Sequence, residues 1–473
     1  MALGRESLIH GSKLLKPVSS KFGLPLDHVN YITAQLIAIG LSIIFRKLFN
    51  RKIAPTWARH LIAIITGVWL TLFCFGPSQT FQLLLVPTVS YLLMTKLPDS
   101  IAHHAVLIWS LGYLSAHNIK MIVQRDPEDY VLDFSGPLMI FVQKLSALAY
   151  SVHDGRLAAA DNNFKEKLVQ NRSKFRSKYI VETEPSFLEF FSYIFNFFGV
   201  LSGPTCFYTD FIEYMETDLG ETTMRTIVGK KLAIAFAFLF GGMFLESHFH
   251  FRSLANTEFL ENSNWFVKIL FINFGMIGMR ASFHFAWTLS DALHNSAGFG
   301  YNKESKNWDL VTNVNSVKCE LATNPQTQIR NWNIQTTYWL RLVVYERSPK
   351  NLATFMTFGL SAMWHGFFPG YYLFFSFAHF LTLAHRRLVK KGVTQMASSK
   401  FQNVILQWMF YALNLVVYHT VFNYGGIGMQ LLTLKRGLIF YKSVYFAGHF
   451  IVAGVLAFPF RNMARETEEI KNK

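Results

Sequence analysis

One histidine, His365, stands in the nearly uncharged run Leu360-Ser361-Ala362-Met363-Trp364-His365-Gly366-Phe367-Phe368-Pro369-Gly370-Tyr371-Tyr372. Ionisable groups within apolar stretches are costly and by default mark function. A neutral imidazole, with an unperturbed pKa of about 6.5, can take a proton near neutral pH. The bland reading of His365 is a packed, hydrogen-bonded side chain. Gly366 and Gly370 favour the chemical one, because they remove side chains beside the ring and let a chain-like molecule approach. Ser361 lies one turn earlier on the same helical face. A serine nucleophile needs a base oriented by an acid, and no carboxylate follows Ser361 before Glu466. Its expected role is therefore to hold the imidazole.

A second constellation is Asn331-Trp332-Asn333, continuing through Trp339 and Arg341 to Tyr345-Glu346-Arg347. The Asn333 amide can donate to a developing oxyanion, an interaction worth roughly 3–4 kcal/mol in acyl transfer. Helix capping or turn formation is the competing reading. Arg341 and Arg347 can meet phosphate or anchor a helix end at the interface. Trp287, Asp291, His294 and Asn295 make one helix face polar, either lining a cavity or pairing with other helices. Asp133, Gln143-Lys144 and His153-Asp154 read as cap and flank of one apolar window.

The elements that must carry these residues are membrane helices. Hydrophobic residues make up 51% of the 473 and charged ones 16%, where soluble chains hold about 45–50% and about 25%. A bilayer core needs roughly 20 apolar helical residues. Windows near that size lie at 30 to 45, 60 to 76, 79 to 95, 101 to 123, 134 to 150, 186 to 203, 230 to 247, 264 to 287, 352 to 368, 370 to 385, 401 to 423 and 440 to 460. The expected class is all-α and polytopic, with about 11 transmembrane helices. No long apolar run precedes residue 30, so a cleavable leader is not expected, and 1–29 reads as a cytoplasmic or interfacial segment. Residues 461–473 read as a polar tail.

The net charge of +16 lies in short clusters between apolar runs, which fits membrane flanks and argues against nucleic acid. The loop 156–185, with Arg156, Lys165, Lys167, Arg172, Lys174, Arg176 and Lys178, faces the cytoplasm by the positive-inside rule. Segment 299–337 is polar and Asn-rich, and is either an aqueous loop or irregular backbone lining a cavity. Cys74, Cys206 and Cys319 are too dispersed for a disulfide framework or a zinc site, so no metal is expected. No internal repeat of the transporter kind is visible.

SAMWHGFFPGYYLFF (361 to 375) with NWNIQTTYWLRLVVYER (331 to 347) resembles the membrane-bound O-acyltransferase family. GLPLDHVNY (23 to 31), LDFSGPLMIFVQKLSALAYSVHDG (132 to 155), EPSFLEFFSY (184 to 193) and FAWTLSDALHNSAGFG (285 to 300) resemble its lysophospholipid branch, nearest the lysophosphatidylethanolamine and lysophosphatidylserine acyltransferases. The FYxDWWN signature of sterol and diacylglycerol acyltransferases is missing; Asn307-Trp308-Asp309-Leu310 stands there. The resemblance implies one membrane domain over 1–473, with helices round a central tunnel that is open to cytosol and membrane. It puts the catalytic pair at His365 and Asn333, with Asn331 as near neighbour. Trp332, Trp339, Ser361, Trp364, Gly366, Gly370 and Tyr371 are expected along the substrate path, with Arg341 and Arg347 near CoA phosphates.

The implied reaction carries a fatty acyl chain from acyl-CoA to the free hydroxyl of a lysophospholipid, in the endoplasmic reticulum membrane. Oleoyl-CoA is the expected donor; acyl-CoA is a co-substrate and no cofactor is needed. The resemblance leaves the number of subunits open. A protein or other lipid acceptor within the same family is the alternative, and a multi-span transporter or scramblase is the more distant one.

Overall fold

The computed structural model describes residues 9–124, 131–171, 173–217, 224–393 and 403–461. Arg172 of the basic loop and the polar tail beyond residue 461 lie outside these. Among the described residues the structure is helical apart from one isolated bridge, Asn302 with Asn307. The helices that matter below are α1 (Leu26–Leu48), α2 (Thr56–Lys96), α3 (Asp99–Gln124), α4 (Ser135–Ala160), α5 (Met224–His248), α6 (Trp265–Ser296), α7 (Ile334–Val343), α8 (Ala353–His365), α9 (Pro369–Lys390) and α10 (Val404–Leu431).

Six described helices, α1, α2, α3, α5, α6 and α10, are long and apolar enough to cross a bilayer. The pair Leu434–Ser443 and Ala447–Ala457, bent by 76°, makes a seventh if it is one span. Two of the windows behind the expected 11 hold no helix of spanning length. Window 186–203 is a nine-residue helix, Phe187–Phe195, started by a Ser186–Glu189 capping box and followed by irregular chain. Window 352–368 holds only the 13-residue α8.

Windows 60 to 76 and 79 to 95 are the two arms of α2. A straight 41-residue helix would run about 60 Å, twice a bilayer core. It breaks at Gly76, whose φ of 76° is left-handed and where a Cβ would fall 2.0 Å from the His10 carbonyl oxygen. Pro77 then starts the second arm with a preset φ. Both outer ends meet the basic face: Arg59 Nη2 donates to Tyr214 O (3.3 Å) and Arg156 Nη2 to Met94 O (3.2 Å). The break meets residues 10–12, where Ser12 N donates to Phe73 O at 2.8 Å.

α4 runs through the middle. Ser146 is buried in it, and so are Gln143, Lys144 and Asp154, which corrects the reading of these three as flanks. The chain tolerates them because each has a partner; Lys144 Nζ donates to Tyr193 O at 2.8 Å. One apolar core gathers α1–α4, α7 and Trp364. A second gathers the middle of α6 with Phe377, Tyr424, Leu431 and the bent pair. His365 ends α8, directly after Trp364 of the first core.

Candidate functional site

Asn333 is the N-cap of α7 but caps nothing with its side chain; its backbone is left-handed, φ 48° and ψ 53°. That conformation is uncommon outside glycine, although asparagine tolerates it better than most. The amide is instead held by a polarised chain of hydrogen bonds that begins at a donor whose identity is fixed. Backbone Gln335 N donates to Asn313 Oδ1 at 3.0 Å, so Asn313 must present Nδ2 on its other side. Nδ2 donates to Asn333 Oδ1 at 3.1 Å, and Thr336 Oγ1 donates to the same oxygen at 2.7 Å. Behind Thr336, Gln143 Nε2 donates to Oγ1 at 2.8 Å, and Thr205 donates to Gln143 Oε1. With Oδ1 engaged twice, Asn333 keeps Nδ2 as a donor for a ligand.

His365 is half-buried among rings: Trp364 at 4.8 Å, Phe375 at 5.2 Å and Tyr371 at 5.8 Å between centroids. The helix stops there because Gly366 takes φ 122°, ψ −165°. A Cβ on Gly366 would stand 3.2 Å from Asn118 Nδ2 and 3.4 Å from Tyr371. Asn118 Nδ2, on α3, is buried without a partner. Ser361 is buried one turn before His365, but no hydrogen bond joins the hydroxyl to the imidazole, so the expected orienting contact is absent.

One face of α4 sets both halves of the site. Met139 O accepts from Trp364 Nε1 (2.9 Å), Gln143 holds Thr336, and Ser146 Oγ accepts from Trp339 Nε1 (2.8 Å). Positions 139, 143 and 146 share a helix face by spacing. Trp339 and Trp364 also touch directly, at 5.9 Å between centroids. The two sequence constellations therefore lean on one rail. Sequence reasoning missed Asn118, Gln143, Asn313 and Thr336.

Other expected residues have structural roles. Arg347 is bidentate to Asp154 (3.0 and 2.6 Å) and lies over Tyr150, so its guanidinium is already committed. Arg341 pairs with Glu346 at 2.6 Å and covers Phe175, but stays 43% exposed on the basic face. Gly370 admits the end of α10: a Cβ there would fall 2.3 Å from Gly428 O, and its N donates to Leu432 O at 2.7 Å. Trp332 packs on Trp287 at 4.8 Å. The polar face of α6 pairs with its neighbours, Asp291 accepting from Lys231 and Thr312, both at 2.7 Å. Segment 299–337 thus divides, 303–307 being exposed and 308–337 mostly folded inward.

His284, Cys319 and Glu320 bring ligand atoms within 4.8 Å of one another. A cation already sits on that carboxylate: Arg280 Nε and Nη2 take its two oxygens at 2.8 and 2.7 Å, and His284 Nε2 lies 2.9 Å from Oε1. Burial alone would raise the Glu320 carboxyl, but Arg280 pulls it well below the usual carboxylate range. The cluster is an ion pair that pins segment 299–337 to α6.

A family model, "MBOAT, membrane-bound O-acyltransferase family", matches residues 68–424. The chain is 32% identical to chicken membrane-bound glycerophospholipid O-acyltransferase 2, over 97% of this chain and 90% of that protein. It is also 32% identical to mouse membrane-bound glycerophospholipid O-acyltransferase 1, over 95% and 92%. Drosophila melanogaster lysophospholipid acyltransferase 6 is 30% identical over 93% of this chain and 62% of its own length. With a matching model over most of its length and relatives covering nearly all of it, this chain belongs to the membrane-bound O-acyltransferase family and is an acyltransferase.

Proposed function

We propose that the protein is an acyl-CoA:lysophospholipid O-acyltransferase of phospholipid remodelling, working in the endoplasmic reticulum membrane on lysophosphatidylethanolamine or lysophosphatidylserine. His365 takes the proton of the free glycerol hydroxyl as that oxygen attacks the thioester carbonyl. Asn333 Nδ2 donates to the oxyanion. The C–S bond then breaks, the new ester stays on the lipid, and the imidazolium returns its proton to the CoA thiolate. Thioesters are activated acyl donors, so ATP has no part in the balance. Arg341 is the cation we place nearest the CoA phosphates; Arg347 is withdrawn from that role.

The observation that carries the reading is the orientation of Asn333, an amide with its oxygen doubly satisfied and its donor end kept back. The relatives' names supply the acceptor class. Purified protein given oleoyl-CoA and lysophosphatidylethanolamine is expected to form diacyl phospholipid. His365→Ala and Asn333→Ala are each expected to lower kcat by 10²-fold or more, a loss of about 3 kcal/mol or more. Full activity in His365→Ala removes the base. Acylation of a peptide with none of any lysolipid turns the reading to a protein acceptor.

A further inference from the structure

α3 turns Val106, Ser110, Leu111 and Leu114 inward, and all four are buried. Ser110, the polar member, is satisfied within the helix, its Oγ donating to Val106 O at 2.8 Å. The next inward position is one turn after Leu114, and there the chain carries Asn118. Its Nδ2 is buried without a partner. A buried donor left unmade costs stability that an apolar side chain would not. An amide kept on this face at membrane depth is therefore a functional group by default.

Its surroundings say which function. Asn118 Nδ2 and Cγ stand 3.2 and 3.4 Å from where a Cβ on Gly366 would be, and Tyr371 Cε2 is also at 3.4 Å. Gly366 follows His365 directly, so the amide meets the chain at the base. The two neighbours of His365 in sequence are braced by different helices, Trp364 by Met139 O of α4 and Gly366 by Asn118 of α3. The imidazole between them is only packed by rings; among the described residues no hydrogen bond reaches its nitrogens. A histidine base keeps the proton of one nitrogen on an acceptor so that the other faces the substrate. Ser361 does not supply that acceptor, and no charged group does. Burial is the only influence acting on His365, with no charge of α3, α4, α8 or α9 bearing on it. His117, beside Asn118 on α3, is turned to Asp133 at 3.3 Å, and on α9 Tyr371 faces the ring at 5.8 Å between centroids. The Asn118 amide is uncommitted.

We infer that Asn118 is the positioning residue of the base. In the substrate complex its Oδ1 accepts from Nδ1–H of His365, and Nε2 is left to take the hydroxyl proton. Catalytic hydrogen bonds that are unmade in the free enzyme commonly close at that stage. The Nδ1 proton stays where it is throughout; the one gained at Nε2 leaves with the CoA thiol. The site then sets two amides to opposite duties, Asn333 giving a hydrogen bond to the oxyanion and Asn118 taking one from the imidazolium. The inference rests on His365 being the base of the reaction proposed above.

The test uses the full chain in nanodiscs with oleoyl-CoA and lysophosphatidylethanolamine. Asn118→Leu is branched at the same carbon and removes an unmade donor, so its melting temperature is expected to hold or rise. Its kcat is expected to fall roughly ten- to hundredfold, with the KM for either substrate within about twofold of wild type. Asn118→Asp sets a carboxylate acceptor opposite the imidazole. It is expected to keep its turnover at high pH and to move the acid limb of the kcat profile up by about one pH unit. On a His365→Ala background, Asn118→Leu is expected to cost nothing further. A packing role predicts the reverse: melting temperature and kcat lost together in Asn118→Leu, an unmoved acid limb in Asn118→Asp, and a further loss on the His365→Ala background. Any of these overturns the inference. Where Asn118→Leu fails to fold, the limb of the isosteric Asn118→Asp decides. Full activity in His365→Ala removes the base and the inference together, whereas an inert His365→Ala beside a fully active Asn118→Leu removes the inference alone.

Discussion

Two buried polar networks tie segment 299–337 to the helices, and they are finished differently. Around Glu320 the network is closed: Arg280 takes both carboxylate oxygens, His284 a share of one, and Arg280 Nη1 donates to Asn423 Oδ1 at 2.6 Å. Around Asn333 it is open: Gln335 N, Asn313, Thr336 and Gln143 pass their polarity to one amide whose Nδ2 is left to give. A closed network of charges holds chain in place. An open one of neutral dipoles is set up for charge that arrives with the reaction, with no reorganisation needed at that moment. The histidines follow the same division. His284 is locked between Glu320 and Ser316, whereas His365 is surrounded by rings.

The comparison breaks most visibly at Glu320. Glu320→Ala leaves Arg280, 3% exposed, as a buried charge without its anion. Such losses cost about 3–5 kcal/mol. The folded fraction after detergent extraction is expected to collapse, while the protein that does fold keeps its turnover per molecule. At the open network the signs reverse. Asn333→Asp still accepts from Asn313 and Thr336 but cannot donate, and it sets a negative charge where one must develop. Turnover is expected to fall by about 10²–10³ with the melting temperature nearly unchanged. If instead Asn333→Asp unfolds and Glu320→Ala merely slows the reaction, the division between the networks is wrong.

Much of this was legible in the residues, and what was not has a physical reason. His365 and Asn333 stood out because each is a polar group in a bracketed run, a local signal. Gln143 did not, since its partner Thr336 lies 193 positions away and a buried glutamine in a helix looks like a flank until that partner is placed. Arg347 misled for the same reason, Asp154 being equally remote. Gly370 looked like room for a ligand because its other use, the passage of α10, belongs to a helix end some 60 residues on. Gly76-Pro77 is a local stop, and it divides windows 60 to 76 and 79 to 95 into the two arms of α2. Window 186–203 has no such mark, and its apolar residues serve a packed core round a short helix.

A smaller effect sharpens the open side of the comparison. Asn313→Asp keeps the acceptor for Gln335 N but removes the donor to Asn333 Oδ1. The Asn333 amide is then free to turn over toward the new carboxylate, spending the donor the reaction needs. One neutral hydrogen bond is at stake, about 1–2 kcal/mol, so kcat is expected to drop roughly tenfold with little change in KM. Asn313→Ala removes the support without inviting the flip and is expected to cost less. An equal loss in both would assign Asn313 to folding alone.

The smallest effect concerns a carboxylate with burial like that of Glu320 but no arginine on it. Asp210, in the short helix Tyr208–Glu216 on the basic face, is raised to about 6 by burial, against which Lys178 and a hydrogen bond from Tyr179 are insufficient, and Glu213 and Glu304 add to the rise. The folded state therefore holds this proton more tightly than the unfolded chain. Its contribution is fully present below the ordinary carboxylate pKa of about 4 and is lost as pH climbs through about 6. Asp210→Asn removes that penalty. It is expected to match wild type in thermal stability at pH 4.5 and exceed it by about 1 kcal/mol at pH 8, the figure being discounted for partial exposure. A variant that gains at pH 4.5 and loses at pH 8 would mean that Lys178 holds Asp210 as an ion pair, closing this site in the way Arg280 closes Glu320.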